Sequence, residues 1–149
     1  MSLKEYKAKR NFEKSGEPKP EIKKSHFKKH IYVIHEHHAT QLHWDLRLQI
    51  KGVLKSWALP KQPPRSRNLR RLAIEVEDHP MSYADFEGEI KEGYGKGEVR
   101  IWDKGELKIL HIDDEKIEFE LIGKKLLGKY VLIKAKVGGE DKNWLFFKL

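Results

Sequence analysis

The chain has 149 residues, no cysteine, 38% hydrophobic and 36% charged residues, and a net charge of +8. That length suits one domain with a core of its own, and the missing cysteines exclude a disulfide framework and thiolate metal ligation, so a bound metal must use His, Asp, Glu or water. No apolar run approaches the roughly 20 residues that span a bilayer and no signal-peptide pattern opens the chain, so no membrane partner and a cytoplasmic location are expected.

Residues 1–29 hold ten Lys/Arg against four Glu, whereas the remaining chain holds 21 basic against 19 acidic residues. The excess charge is thus concentrated in an N-terminal arm of about thirty residues, placed to meet a polyanion such as nucleic acid. Ser2 to Phe12 has the spacing of a short helix, capped by Ser2, before Ser15–Pro20 breaks regular structure. From residue 31 the dominant period is two. Ile31–His37, Leu42–Ile50 and Val53–Leu59 are expected strands, the last two joined by a tight Lys51-Gly52 turn. Arg71–Glu77 follows and stops at His79-Pro80. Basic Arg65–Arg70 and the longer Met81–Gly97 are expected to be irregular, the latter a place for function. Glu98–Trp102, Leu107–His111, Lys116–Ile122, Lys129–Val137 and Trp144–Leu149 complete the strands, with glycines at 105, 123, 128 and 138–139 between them. Short strands at regular spacing with almost no helical pattern predict an all-β, mainly antiparallel domain over 31–149. A closed or near-closed β-barrel is favoured because closure removes exposed edges.

Leu42–Ile50 carries the chemistry. Side chains alternate faces along a strand, so Leu42, Trp44, Leu46, Leu48 and Ile50 form an apolar face, opposite His43, Asp45, Arg47 and Gln49. An imidazole and a carboxylate about 7 Å apart at their roots can lean toward one cation. Arg47, one step further, is placed to hold an anionic oxygen. The preceding strand ends in His35-Glu36-His37-His38, and a hairpin returns one of these histidines to the same place; His37 is the expected third ligand. Two nitrogens and a carboxylate suit Mn²⁺, Fe²⁺ or Zn²⁺. Six of the eight histidines lie between His26 and His43, a concentration that a merely basic surface does not require. On Arg71–His79, Leu72, Ile74 and Val76 alternate with Arg71, Ala73, Glu75, Glu77 and His79. His79 offers a general acid/base or a hydrogen-bond donor. Gly93–Gly97 lacks the spacing of a phosphate loop and is expected to be a turn. Trp57, Trp102 and Trp144 are expected in the core.

The run Val33–Leu48, with its His-Ala-x-x-Leu-His-x-Asp-x-Arg core, resembles the 3′-phosphoesterase domain of bacterial DNA ligase D, as do Gly52–Lys61 and Glu77–Pro80. Tyr83, Phe86–Gly88, Ile101–Asp103, Gly105, Gly128–Ile133 and Asn143–Leu145 extend the likeness over nearly the whole chain. The resemblance implies a compact β-barrel and Mn²⁺-dependent healing of 3′ ends, with Co²⁺ or Zn²⁺ suiting the same site. The terminal ribonucleoside of a primer would be removed first and then the 3′-phosphate, leaving 3′-OH for DNA repair. It implies His37, His43 and Asp45 as metal ligands. Arg47, His79 and Tyr83 would hold the scissile phosphate, and Lys61, Arg71 and Glu77 would support the site. The departures are Asn11 where Asp is common, Lys91 for a usual proline, a Gly-rich segment one residue shorter, and no attached polymerase or ligase domain. A stand-alone monomer working on primer–template ends with a separately encoded ligase is the expectation. The competing expectations are a non-catalytic nucleic-acid-binding barrel and a cupin-like metal barrel. The latter is suggested by His35-x-His37, with His111 its only late histidine.

Overall fold

The computed structural model describes residues 30–93, 95–135 and 141–149. The expected N-terminal helix, the basic arm with Asn11, and Tyr94 and Val137 lie outside them. The described chain forms nine strands: β1 (His30–His38), β2 (Leu42–Ile50), β3 (Val53–Leu59), β4 (Arg70–His79), β5 (Gly88–Ile90), β6 (Gly97–Ile112), β7 (Lys116–Ile122), β8 (Leu127–Lys134) and β9 (Asn143–Lys148). Every pairing is antiparallel, in the order β1-β2-β3-β4-β9-β8-β7-β6-β5. β6 also pairs with β1, which closes eight strands into a barrel and leaves β5 as an appendage on β6. No helix among the described residues is long and apolar enough to cross a membrane.

The alternation read along the sequence decides what fills the barrel. Tyr32, Leu46, Trp57, Ala73, Leu107, Phe119, Tyr130 and Phe146, one from each of the eight strands, belong to one buried cluster, with Trp144 beside them and Trp102 packed against it. Each large side chain there contributes about 1.5–3 kcal/mol by leaving water. The β2–β3 hairpin has the expected two-residue loop. Lys51 (φ 52°) and Gly52 (φ 80°) both take the left-handed conformation that matches the twist of the strands, and Ile50 pairs with Val53.

Two expectations fail along β6 and its approach. Glu98–Trp102 and Leu107–His111 are one continuous strand, Gly97–Ile112. Gly105, read as punctuation, is instead a point of close approach: a Cβ there would lie 2.1 Å from the Ile122 carbonyl oxygen. Met81–Gly97 also contains more than loop, since Met81–Asp85 is a 3₁₀ helix and Gly88–Ile90 is β5. Near the middle of β6, Asp103 is buried and accepts hydrogen bonds from the Tyr32 hydroxyl (2.6 Å) and the amides of Lys124, Lys125 and Leu126. It thereby ties the β7–β8 turn to β1. Burial would raise this carboxyl, but the Tyr32 hydroxyl and the three amides outweigh it and hold it below the usual carboxylate range.

β4 corrects the expected pattern of faces. Ala73 points into the barrel, while Ile74 and Val76 face outward into a pocket. The β3–β4 register shifts between Leu54 and Ser56, so that Ser56 pairs with Val76 but Leu54 pairs with His79. This bulge reverses the alternation and brings Glu77 and His79 to the same outward pocket as Val76. The outer face of β1–β3 therefore carries the polar residues. It is roofed by the 3₁₀ helix, whose Tyr83 and Ala84 pack with Val33 and Leu54 in a second buried cluster.

Candidate metal centre and phosphate site

His37 comes from β1, and His43, Asp45 and Arg47 from β2. The antiparallel register places His37 opposite His43 and His35 opposite Asp45, and odd-numbered positions of both strands share the outer face. One ligand atom each from His37, His43 and Asp45 lies within 4.8 Å of the others. His37 Nδ1 is 3.6 Å from Asp45 Oδ2, and His43 Nε2 is 3.3 Å from Asp45 Oδ1.

The outward nitrogens fix the inward ones. His37 Nε2 donates to the Gly95 carbonyl (2.6 Å) and His43 Nδ1 donates to the Gln41 carbonyl (3.1 Å). Nδ1 of His37 and Nε2 of His43 are therefore the nitrogens that face Asp45, and each would offer its lone pair to a cation held there. Two lone pairs and a carboxylate converging on one point fit a divalent cation of the Mn²⁺–Zn²⁺ type. His43 also answers directly to Asp45. Burial would lower its pKa, but the hydrogen bond and charge of Asp45 outweigh it and raise it. Burial likewise opposes ionisation of Asp45, yet the Arg47 guanidinium and the bonds from His37 and His43 hold it well below the usual carboxylate range.

Arg47 is buried and held on three sides. Its Nη2 is 3.3 Å from Asp45 Oδ2, its Nη1 donates to Ser56 Oγ (2.9 Å) and approaches His79 Nδ1 (3.2 Å), and its Nε donates to His35 Nδ1 (3.1 Å). The guanidinium also lies 4.8 Å from the centre of the Tyr83 ring. His35 is fully buried, and its Nε2–H donates to the Phe86 carbonyl (3.0 Å). Burial, then the charge of Arg47, pushes its pKa down to about 3; the neutral ring is the only form that accepts from Arg47 and donates to Phe86 together. His79 Nδ1 also sits 3.0 Å from the Glu77 carbonyl oxygen, and its ring meets the edge of Tyr83 at 4.8 Å.

The pocket over these groups holds about 420 Å³ and is lined by His37, His43, Asp45, Arg47, Glu77, His79 and Tyr83 among others. Seven of the nine residues singled out in the sequence thus share one cavity. Lys61 is exposed and Arg71 is half-buried, its Nε donating to the Gln62 carbonyl (2.8 Å); neither lines the pocket. His111 is exposed and pairs with Asp113 at 2.7 Å, so it gives a cupin-like site no ligand here. His35 and Ser56 went unnoticed as partners of Arg47. Both were legible: His35 shares a strand face with His37, and counting back from the Lys51-Gly52 turn puts Ser56 opposite Arg47.

Comparison with known proteins agrees with this geometry. Residues 35–134 match the family described as the DNA ligase D 3′-phosphoesterase domain. The chain is 41% identical over 155 residues to the multifunctional non-homologous end joining protein LigD of Pseudomonas aeruginosa, covering 98% of this chain and 18% of that protein. It is 40% identical over 152 residues to the multifunctional non-homologous end joining DNA repair protein LigD of Mycobacterium tuberculosis, covering 99% of this chain and 20% of that one. The LigD protein of Mycolicibacterium smegmatis is similar at 38% over 156 residues, 97% of this chain and 20% of its own. The chain spans about a fifth of the length of these curated relatives.

Proposed function

The chain belongs to the DNA ligase D 3′-phosphoesterase domain family, and we propose that it is a metal-dependent hydrolase that heals 3′ ends of nucleic acid in DNA repair. It removes a terminal ribonucleoside from a primer strand, then the 3′-phosphate left behind. The observation that carries this reading is the convergence of two carbonyl-oriented imidazoles and a carboxylate beside a buried, pre-aligned arginine.

His37, His43 and Asp45 would hold the cation. Mn²⁺ is the expected one, and when bound it would supply Lewis-acid stabilisation of charge on the phosphate. Arg47 contributes the second positive charge from a position it does not have to search for, because Asp45, Ser56 and His35 fix its plane. Preorganised charge of this kind acts without reorganisation as the transition state forms. Water attacks phosphorus, a P–O bond to the leaving oxygen breaks, and that oxygen takes a proton. His79, whose Nδ1 lies beside Arg47, Ser56 and the Glu77 carbonyl, is the acid for that step. Tyr83 packs against Arg47 and His79 from the 3₁₀ helix. Lys61, Arg71 and the basic arm would engage the strand outside the pocket, which makes binding steeply salt-dependent. A DNA ligase is the partner that would use the 3′-OH, with the chain acting as a monomer.

The test is processing of a labelled primer–template ending in one ribonucleotide or a 3′-phosphate, with and without Mn²⁺, for wild type and His43→Ala. Metal-dependent shortening and dephosphorylation that vanish in the variant support the reading. Tight binding without turnover by metal-loaded wild type would replace it with a nucleic-acid-binding module.

A further inference from the structure

The pocket has two unlike walls. The β1–β2 side carries the metal ligands and Arg47. The β3–β4 side carries Ala58, Pro60, Ile74 and Val76, all partly open to the cavity, with Glu77 and His79 at the far end of β4. The strand register sets these walls side by side in rows: Asp45 pairs with Ala58 and Ala58 with Ile74, while Arg47 pairs with Ser56 and Ser56 with Val76. At about 4.8 Å between strands, the apolar wall begins one strand from Asp45 and ends about 10 Å away. The one hydroxyl in those rows, Ser56, is engaged by Arg47 and the Leu54 carbonyl. Phosphate chemistry alone gives no reason for an apolar floor beside a cation site, and an open apolar surface is the informative kind. Ala58 is also small enough to leave a depression in the row nearest the metal ligands.

From this we infer that the β3–β4 wall is the subsite for the terminal nucleoside, the group that leaves when the phosphodiester is cleaved. This rests on the phosphodiesterase reading above. The ligand class is a ribonucleoside held through the aliphatic face of its sugar and the flat face of its base. A cavity of about 420 Å³, mainly apolar with a few convergent polar groups, is of the kind that takes small organic ligands. The Ala58, Ile74 and Val76 side chains offer a base no donor or acceptor, and Glu77 and His79 lie beyond the bulge further along β4, so the subsite accepts all four bases. A second depression of about 440 Å³, adjoining the first at His43 and Gly95 and lined by Thr40, Gln41, Gly93 and Lys96, gives the upstream strand a hydroxyl, an amide and a cation. The scissile phosphate is then the boundary between an apolar side that leaves and a charged side that stays.

The experiment compares two substrates in one protein: a primer ending in a ribonucleotide, and the same primer ending in a 3′-phosphate, which places nothing on the wall. Ala58→Leu fills the depression and Ile74→Thr removes part of its apolar surface. The ratio of nucleoside removal to phosphate removal falls at least tenfold in Ala58→Leu and about threefold in Ile74→Thr, while wild type treats the four terminal bases within about threefold. An unchanged ratio in both variants, or a strong base preference in wild type, overturns the subsite. Wild type inactive on both ends overturns instead the phosphoesterase reading beneath it.

Discussion

Replacing His35 by leucine tests how Arg47 is held. The substitution keeps a side chain of similar bulk but deletes the acceptor of the Arg47 Nε–H and the donor to the Phe86 carbonyl. A buried charged donor left without its acceptor costs about 1.5–3 kcal/mol, and the carbonyl adds to it. A loss of about 3 kcal/mol is expected, which for a chain of this size lowers Tm by roughly 6–12 °C. The effect on rate has a different origin. Freed at Nε, the guanidinium can swing on its bonds to Asp45 and Ser56, and a displacement of about 1 Å at a catalytic group costs about a hundredfold. Glutamine, with one amide oxygen to accept and one amide nitrogen to donate, restores both bonds. The assay is kcat/KM for 3′-phosphate removal under Mn²⁺ saturation, beside thermal melts, for His35→Leu and His35→Gln. The expected pattern is a roughly hundredfold loss in the first and recovery to within about fivefold in the second. A leucine variant that melts early yet keeps its kcat/KM, or a glutamine variant as poor as leucine, would refute the argument that His35 positions Arg47.

The metal site predicts that Mn²⁺ at 100 times its Kd stabilises the protein by about 2.7 kcal/mol, a Tm rise of about 5–11 °C, and that His37→Ala abolishes the rise in differential scanning calorimetry. Asp45→Asn leaves Arg47 buried without its carboxylate; the metal-free variant should unfold about 3 kcal/mol more easily in urea, and a smaller change than 1 kcal/mol would contradict the charge argument. Gly105→Ala drives a Cβ into the Ile122 carbonyl; a loss of about 3 kcal/mol is expected, read as a Tm drop near 10 °C, and a neutral result would mean that β6 and β7 can part there. Asp103 has a depressed carboxyl pKa, so its stabilising contribution is complete above its unfolded value of 3.8 and disappears as pH falls through the lower folded value. Asp103→Asn should therefore flatten the acid limb of the stability–pH curve below about pH 4, as followed by circular dichroism.

The strand ladder and the clustering of His37, His43 and Asp45 were legible because both follow from period-two alternation and a hairpin return, which depend on nearby residues alone. The Leu42–Ile50 segment shows this best: one face reads as interior, and the other spells His43, Asp45 and Arg47 in order. What escaped depends on partners distant in sequence. The bulge that turns Glu77 and His79 toward the pocket is a property of the β3–β4 register, and alternation within β4 alone assigns Ile74 and Val76 the wrong way. Gly105 misled because a glycine marks a turn and a close backbone approach equally, and only the position of Ile122 decides between them. β5, three residues long and paired only with β6, carries too few residues to show a period. Lys61 and Arg71, expected from the resemblance to support the site, lie outside the pocket, where geometry alone assigns them no contact with the metal ligands.

The Lys51-Gly52 turn has a consequence beyond joining two strands. It holds Ile50 against Val53, and every pair behind it inherits that count, down to Arg47 against Ser56 and Asp45 against Ala58. One residue added to the loop and absorbed by β2 would exchange the strand's two surfaces, sending a carboxylate and a guanidinium into the barrel and setting Leu46 and Leu48 in the pocket. No residue of the turn lines the pocket, yet its length shapes the candidate site as much as any imidazole does. Loop-length variants at this hairpin should behave as active-site mutants.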